Sequence, residues 1–218
     1  MQKKIIPILT MLLLVLVAAE VTLAQDCGPG CPACSGKARG DLLPPQNLLT
    51  SLLYIPDAEE ETTVFRLRYG LFSWMDAGIG YGLDEEVASW SVRVQAIAQD
   101  REGWRPALII GSGSVRTGGN DQSLYIQLAK SVTFLPERLE LNLAGGLATD
   151  LPGIEENWWL GTLTLTLFDR VSPFYSYDGI NPHLGLSCSA TEWLTLTGYY
   201  LEMETAALAA GIQWNFGE

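Results

Sequence analysis

Three closely spaced cysteines are the first residues in this sequence whose types and spacing could do chemistry. Cys27, Cys31 and Cys34 lie in the segment CGPGCPAC, whereas Cys188 stands alone near the other end of the chain. In an oxidising compartment this spacing predicts one disulfide among the three, with one thiol left over. Three thiolates could also bind Zn²⁺ if a fourth ligand were supplied. The sequence leaves the disulfide and the metal site open, and nothing else in the chain predicts a cofactor.

The single histidine, His183, is the next candidate, because Ser187 follows it four residues later. In an extended strand, at about 3.3 Å of rise per residue, four residues separate the two side chains by roughly 13 Å. A general base must come within about 3 Å of its nucleophile. The sequence therefore predicts no catalytic residues and no enzyme, and we interpret His183 as a residue that lines the interior of the fold.

Charged residues within otherwise apolar segments form a third group. Strand alternation places five of them on the inner face of the predicted fold: Arg66, Arg68, Arg93, Asp76 and Glu140. In one interpretation, the arginines and acids pair across a narrow interior and satisfy one another. In the other, the arginines form a basic path for an anionic saccharide. The sequence favours the first interpretation without excluding the second.

Acidic residues dominate the predicted loops, and the whole chain carries a net charge of −12. Such a charge would repel nucleic-acid phosphates, so no nucleic-acid partner is expected. A run of this kind is usually a solvated surface. Neighbouring carboxylates could instead share divalent cations at an outer leaflet. The candidate residues form two runs, Glu59, Glu60 and Glu61 in the first and Asp84, Glu85 and Glu86 in the second.

The elements that must position these residues are β-strands. Apolar residues alternate with small or polar ones along most of the chain, as in TLTLTL at 162–167 and in the closing hairpin at 193–216. This period of two predicts an all-β, antiparallel up-and-down barrel of about twelve strands. The predicted strands are 48–55, 62–71, 73–82, 87–99, 104–113, 122–133, 137–147, 158–168, 171–178, 182–190, 193–201 and 205–216.

A transmembrane barrel is favoured over a soluble, ligand-binding one by three observations. All seven tryptophans lie at or near predicted strand ends, where the aromatic girdles of membrane barrels occur. Alternate connections are mostly longer than those between them, and the acidic residues are concentrated in the longer set. An even number of strands suits a bacterial outer-membrane barrel with both ends on the periplasmic side. We therefore expect the cell outer membrane as the location and its lipid as a partner.

The ends of the chain suggest three segments. Residues 1–24 combine a basic start, an apolar run and small residues before a cleavage position, which predicts a signal peptide. Residues 25–46, rich in Cys, Pro and Gly, are predicted to form a periplasmic tether. Residues 47–218 are predicted to form the barrel.

The closing segment also carries a family resemblance. The turn at Tyr177-Asp178-Gly179 with Asn181, the following Gly185 and the alternation that runs to residue 216 resemble the end of the YjbH-like outer-membrane family, which is linked to exopolysaccharide production. The segment 49–58 is similar to the start of that family's barrel. The resemblance implies a non-enzymatic accessory role in exopolysaccharide or surface-polysaccharide export, with export components as partners. A narrow diffusion channel for small anionic solutes is the alternative that the inner arginines suggest.

Overall fold

The computed structural model describes residues 42–56, 63–84, 86–113, 122–135, 139–151 and 156–217. The predicted signal peptide and most of the predicted tether lie outside these residues. The same holds for several candidate site residues, namely Cys27, Cys31, Cys34, Glu59, Glu60, Glu61 and Glu85.

The described residues form twelve strands in one closed antiparallel sheet. Each strand pairs with its neighbours in sequence, and the last strand pairs with the first. The predicted all-β up-and-down barrel of twelve strands is therefore confirmed. The strands are β1 (Asn47–Tyr54), β2 (Thr63–Phe72), β3 (Met75–Gly82), β4 (Val87–Ile97), β5 (Ala107–Gly113), β6 (Ser123–Leu135), β7 (Leu139–Asp150), β8 (Asn157–Leu167), β9 (Val171–Tyr177), β10 (Pro182–Ser189), β11 (Leu194–Leu201) and β12 (Thr205–Asn215).

Pairing between β1 and β12 closes the barrel. It runs from Asn47 opposite Asn215 to Tyr54 opposite Leu208, along the whole of β1. Side chains strengthen the seam near its start, where the amide of Gln213 donates to Oδ1 of Asn47 at 2.9 Å. Because every strand has two neighbours, no strand edge is left to seek a partner.

Connections alternate between two ends of the barrel. The loop end carries the β1–β2, β3–β4, β5–β6, β7–β8, β9–β10 and β11–β12 connections, and the turn end carries the others and both termini of the barrel. Two tight turns consist of two non-glycine residues with positive φ, Phe168 (50°) with Asp169 (55°) and Glu202 (54°) with Met203 (58°). Positive φ at both central residues is the type I′ geometry, which matches the right-handed twist of hairpin strands.

The outer surface is apolar and is bounded by aromatic residues at both ends. Leucine and isoleucine side chains such as Ile79, Leu128 and Leu163 are exposed between the two aromatic groups. This is the surface pattern of barrels that cross an outer membrane. At the turn end the exposed aromatics are Phe72, Trp74, Trp104, Phe134, Phe168, Trp193, Trp214 and Phe216; at the loop end they are Tyr54, Phe65, Tyr81, Trp90, Trp159 and Tyr200. Among the described residues, no helix is long and apolar enough to cross a membrane.

The interior differs between the two ends. Near the loop end the inner wall carries a small apolar cluster, formed by Leu53, Ile55, Val64, Leu201 and Ala207. Towards the turn end the inner wall is polar, with hydroxyl pairs between neighbouring strands such as Thr166 with Ser172 (3.0 Å) and Ser187 with Thr197 (2.7 Å). These pairs satisfy hydroxyl groups that would otherwise be buried without a partner.

The connection between β4 and β5 is longer than predicted, because the two predicted strands extended too far into it. The predictions continued the fourth strand to residue 99 and began the fifth at 104, but β4 ends at Ile97 and β5 begins at Ala107. Gln99 lies in the loop, where its Oε1 accepts the N–H of Ser131 at 2.8 Å. Lys130 donates to the carbonyls of residues 100 and 103 at 2.5 and 2.7 Å. The loop thus supplies partners for the part of β6 that extends beyond β5.

Two adjacent glycines of β7 allow a test of interior packing. A Cβ on Gly146 would lie 2.1 Å from the carbonyl oxygen of Ile126, whereas on Gly145 its nearest neighbour would be 3.7 Å away. We expect Gly146→Ala to lower the free energy of unfolding by about 1–3 kcal/mol. Gly145→Ala, the matched control, should change it by less than about 0.5 kcal/mol. Urea unfolding in lipid vesicles measures both, and equal effects would contradict the described register.

Candidate functional site: an arginine cluster inside the barrel

Three neighbouring strands bring four of the predicted site residues to one patch of the inner wall. Arg66 and Arg68 extend inward from β2, Asp76 from β3 and Arg93 from β4. Strand pairing places Asp76 directly opposite Arg93, and Gly78, two residues further along β3, opposite Arg68. A Cβ on Gly78 would lie 2.6 Å from Cγ of Arg68, so the arginine stem crosses the wall where no side chain obstructs it.

Asp76 is the centre of this cluster. Its carboxylate is fully buried and accepts two hydrogen bonds from Arg93, Nε to Oδ1 at 3.0 Å and Nη2 to Oδ2 at 2.6 Å. The backbone N–H of Leu43 donates to Oδ2 at 2.8 Å, and Nη2 of Arg68 lies 3.5 Å from the same oxygen. This forked geometry satisfies a carboxylate that could not be buried alone.

The cluster carries more positive than negative charge. Arg68 and Arg93 share the one carboxylate of Asp76, and Arg68 keeps 30% of its side chain exposed. Nε of Arg68 is buried without a hydrogen-bond partner among the described residues. A partly exposed arginine side chain is suited to bind an anionic group. Arg93 is therefore paired within the wall, whereas a basic path for an anionic saccharide stays a prediction.

Aromatic side chains extend the inner wall beside the arginines. Tyr125 on β6 lies within hydrogen-bonding reach of Arg93. Phe174 and Tyr199 pack edge to face, with ring centroids 5.5 Å apart and an interplanar angle of 73°. The candidate set from the sequence omitted these residues, although alternation through Gln127 on β6 would have placed Tyr125 on the inner face.

Glu140 and His183 belong to other parts of the barrel. Glu140 extends from β7, which is not adjacent to β2, β3 or β4. His183 is 1% exposed on β10. Its Nδ1 accepts the backbone N–H of Glu202 at 3.1 Å, so its Nε2 carries the proton and donates to Asp178 at 3.0 Å. The histidine therefore links the β9–β10 and β11–β12 connections at the loop end.

His183 has no nucleophile beside it among the described residues. Ser187 instead forms its hydrogen bond with Thr197 at 2.7 Å. The Asp178 carboxyl that holds His183 also accepts the backbone N–H groups of Ile180 and Asn181. The contacts thus indicate a structural histidine.

The predicted cation site can be examined only at Asp84 and Glu86. Oδ2 of Asp84 accepts the backbone N–H of Thr63 at 2.9 Å, which ties the start of β2 to the next loop. Glu86 is exposed and adopts a positive φ of 57°. No group of three His, Cys, Asp or Glu side chains is placed to hold a metal ion within the described parts of the chain. Cation binding by the acidic loops stays a prediction.

Comparisons with known proteins support the barrel alone. No family model matches the sequence, and no curated protein matches it. Solved structures do match, among them one described as a KdgM porin, with a TM-score of 0.52 and 10% sequence identity. The match covers 78% of this chain and 99% of the porin. At that identity the likeness establishes the fold, so the chain has a porin-like barrel, and the resemblance to the YjbH-like family stays a prediction.

The arginine cluster generates a stability prediction. Asp76→Ala would leave Arg93 buried without its carboxylate, and we expect a loss of about 3–5 kcal/mol in the free energy of unfolding. Urea unfolding, followed by the different gel mobility of folded and boiled barrels, measures the loss. Glu204→Ala removes a carboxylate from an exposed turn and serves as the control. An Asp76→Ala variant as stable as this control would show that the buried pair contributes nothing to stability.

Asp178 generates a pH prediction. Burial raises its pKa, but the hydrogen bonds from His183 and from the backbone N–H groups of Asn181 and Ile180 outweigh burial, so the pKa lies below its ordinary value. A depressed carboxyl pKa stabilises the folded state above the unfolded pKa, and the contribution is lost as pH falls below about 4. Unfolding measured from pH 7 to pH 3 should show this loss in the parent and less of it in Asp178→Asn. An unchanged pH dependence in the variant would contradict the role of Asp178.

Proposed function

We propose that the protein is an outer-membrane barrel that forms a narrow diffusion channel for small anionic solutes. The observation that carries the proposal is the excess of arginine over carboxylate inside the barrel at β2, β3 and β4. Arg68 supports it most directly, because its side chain is partly exposed and its Nε has no partner among the described residues. A cationic constriction raises the local concentration of anions and disfavours cations.

The outer-membrane location has separate support. The outer wall exposes leucine and isoleucine between two aromatic groups, a surface that would be unfavourable in water and is favourable in lipid. The same surface argues against the soluble, ligand-binding barrel, which would bury its apolar face. The porin-like fold is compatible with passage through the interior.

The size of the solute follows from the number of strands. A barrel of twelve strands has a narrow interior, and the arginines and tyrosines on its inner wall narrow it further. Anions small enough to pass in contact with one guanidinium fit this space best, for example carboxylates or short acidic saccharides. An uncharged polymer can accept a hydrogen bond from Arg68 but lacks the negative charge that a guanidinium attracts.

The accessory role in polysaccharide export is kept as a second hypothesis. It depends on the resemblance of the turn around Asp178 and of the closing strands to the YjbH-like family. The porin-like fold and the arginine excess favour the channel over that role. A barrel that serves only as a scaffold should not conduct ions, so one measurement separates the two functions.

The test is ion selectivity in planar lipid bilayers. The parent protein, with folding checked by a shift in gel mobility on boiling, should conduct and should give a reversal potential of the sign expected for anion preference in a KCl gradient. Arg68→Gln should lower the anion-to-cation permeability ratio by about twofold or more, because it removes one lumen charge. Arg105→Gln, which removes an exposed charge in the β4–β5 loop, is the matched control.

Two results would contradict the proposal. A folded parent protein that does not conduct would favour the scaffold role. Conduction with cation preference, or equal effects of Arg68→Gln and Arg105→Gln, would show that the inner arginines do not select the solute.

A further inference from the structure

The segment 42–46, which precedes β1 and which we call the inner strap, enters the barrel: Leu43 lies inside, whereas Pro45 and Gln46 are exposed at the mouth. Leu43 is 3% exposed, and its backbone N–H donates to the carboxylate of Asp76 at 2.8 Å. Asp76 itself extends inward from β3 and is fully buried. The chain therefore reaches its first strand from the lumen at the turn end.

Gly70 of β2 shows how closely the inner strap approaches the wall. Its position on β2, two residues after Arg68, gives it the same inward direction. A Cβ placed there would lie 1.9 Å from the carbonyl oxygen of Pro44 and 2.9 Å from that of Leu43. The carbonyl of Gly70 also accepts the N–H of Gln46 at 2.8 Å. Only a glycine at this position leaves room for the strap backbone.

The junction between the inner strap and β1 is a compact turn. The N–H of Asn47 donates to the carbonyl of Pro44 at 3.2 Å, and Gln46 has a positive φ of 62°. The carbonyl of Gln46 accepts the N–H of Phe216 at 3.0 Å, which fastens the turn to the end of β12. Two consecutive prolines, Pro44 and Pro45, restrict the backbone before this turn. The strap is thus held at a defined place in the mouth.

We propose that the inner strap is a built-in restriction of the turn-end mouth, latched on Asp76. The proposal rests on the channel function proposed above and adds a regulated element to it. In a twelve-stranded barrel, a chain segment along the inner wall occupies a large share of a narrow cross-section. The latch uses the carboxylate that also anchors Arg93, so the strap lies beside the arginines that would contact a passing anion.

Release of the inner strap leaves the charge cluster paired. Asp76 keeps both hydrogen bonds from Arg93 when the N–H of Leu43 withdraws, and water from the lumen can take the vacated position. The strap can therefore open without leaving a buried charge alone. Removing Asp76 would confound the two effects, so the test must displace the strap by other means.

Gly70→Ala displaces the inner strap by steric contact and changes no charge. Leu43→Gly weakens the packing of the inner strap by a change in the strap itself. It removes a buried side chain and alters no residue of the barrel wall. Gly198→Ala is the matched control, since a Cβ on this strand glycine meets nothing within 4 Å. Folding of each variant is checked by the gel-mobility shift on boiling.

Two readouts are compared, conductance in planar bilayers and hydrogen exchange of a peptide that covers residues 42–47. In the parent and in Gly198→Ala, the amides of Leu43, Gln46 and Asn47 should be protected. In Gly70→Ala and Leu43→Gly, that protection should be lost and single-channel conductance should rise by about twofold or more, because the strap leaves a narrow lumen.

The outcomes separate the strap from the channel. Rapid hydrogen exchange at the amides of Leu43, Gln46 and Asn47 in the parent would show that the strap is not held on Asp76. If the variants lose amide protection but conduct as the parent does, the strap does not restrict the mouth. The proposed channel function would then still stand. If protection is lost and neither parent nor variants conduct, the channel function itself fails, and the restriction fails with it.

Discussion

A backbone in lipid has no water to satisfy its N–H and C=O groups, and closure of the sheet is the constraint on which the rest of this structure depends. The β1–β12 seam satisfies it, because β1 is paired along its whole length and the amide of Gln213 adds a bond to Asn47. Once the sheet is closed, alternation sorts the side chains, so that apolar residues face outward and polar ones inward. Both the apolar outer wall and the arginine cluster follow from that one closure.

The inner charges are arranged around a single buried carboxylate. Asp76 joins β3 to β4 through Arg93, approaches β2 through Arg68 and holds the inner strap through Leu43. A buried ion pair is weak evidence for added stability, but removal of one member leaves a charge uncompensated. The arrangement therefore gives the turn end a defined geometry and leaves the buried Nε of Arg68 without a partner among the described residues.

The two ends of the barrel differ in how they are held together. At the loop end, the His183 ring joins two connections, and an apolar cluster that includes Val64 and Leu201 lies on the adjacent inner wall. At the turn end, the wall is polar and the strap enters the lumen. The buried Asp76–Arg93 pair and the strap therefore lie at the same end of the barrel.

The sequence by itself determined the strands and their number. Away from the register shifts near the turn-end ends of β2, β4 and β6, it also determined the face of the sheet on which a side chain lies. These features follow from a period of two, which is local and can be counted, and even the short turn at 202–204 is visible as a break in the alternation. The sequence-based predictions were wrong at strand ends. Gln99, for example, does not continue β4 but accepts the N–H of Ser131 on β6. Tertiary structure alone decided which residues meet. The register of β3 against β4 pairs Asp76 with Arg93, a separate hairpin brings Glu202 to His183, and the path of residues 42–46 into the lumen depends on space beside Gly70. Register and chain path are set by contacts distant in sequence, and a local period carries no information about them.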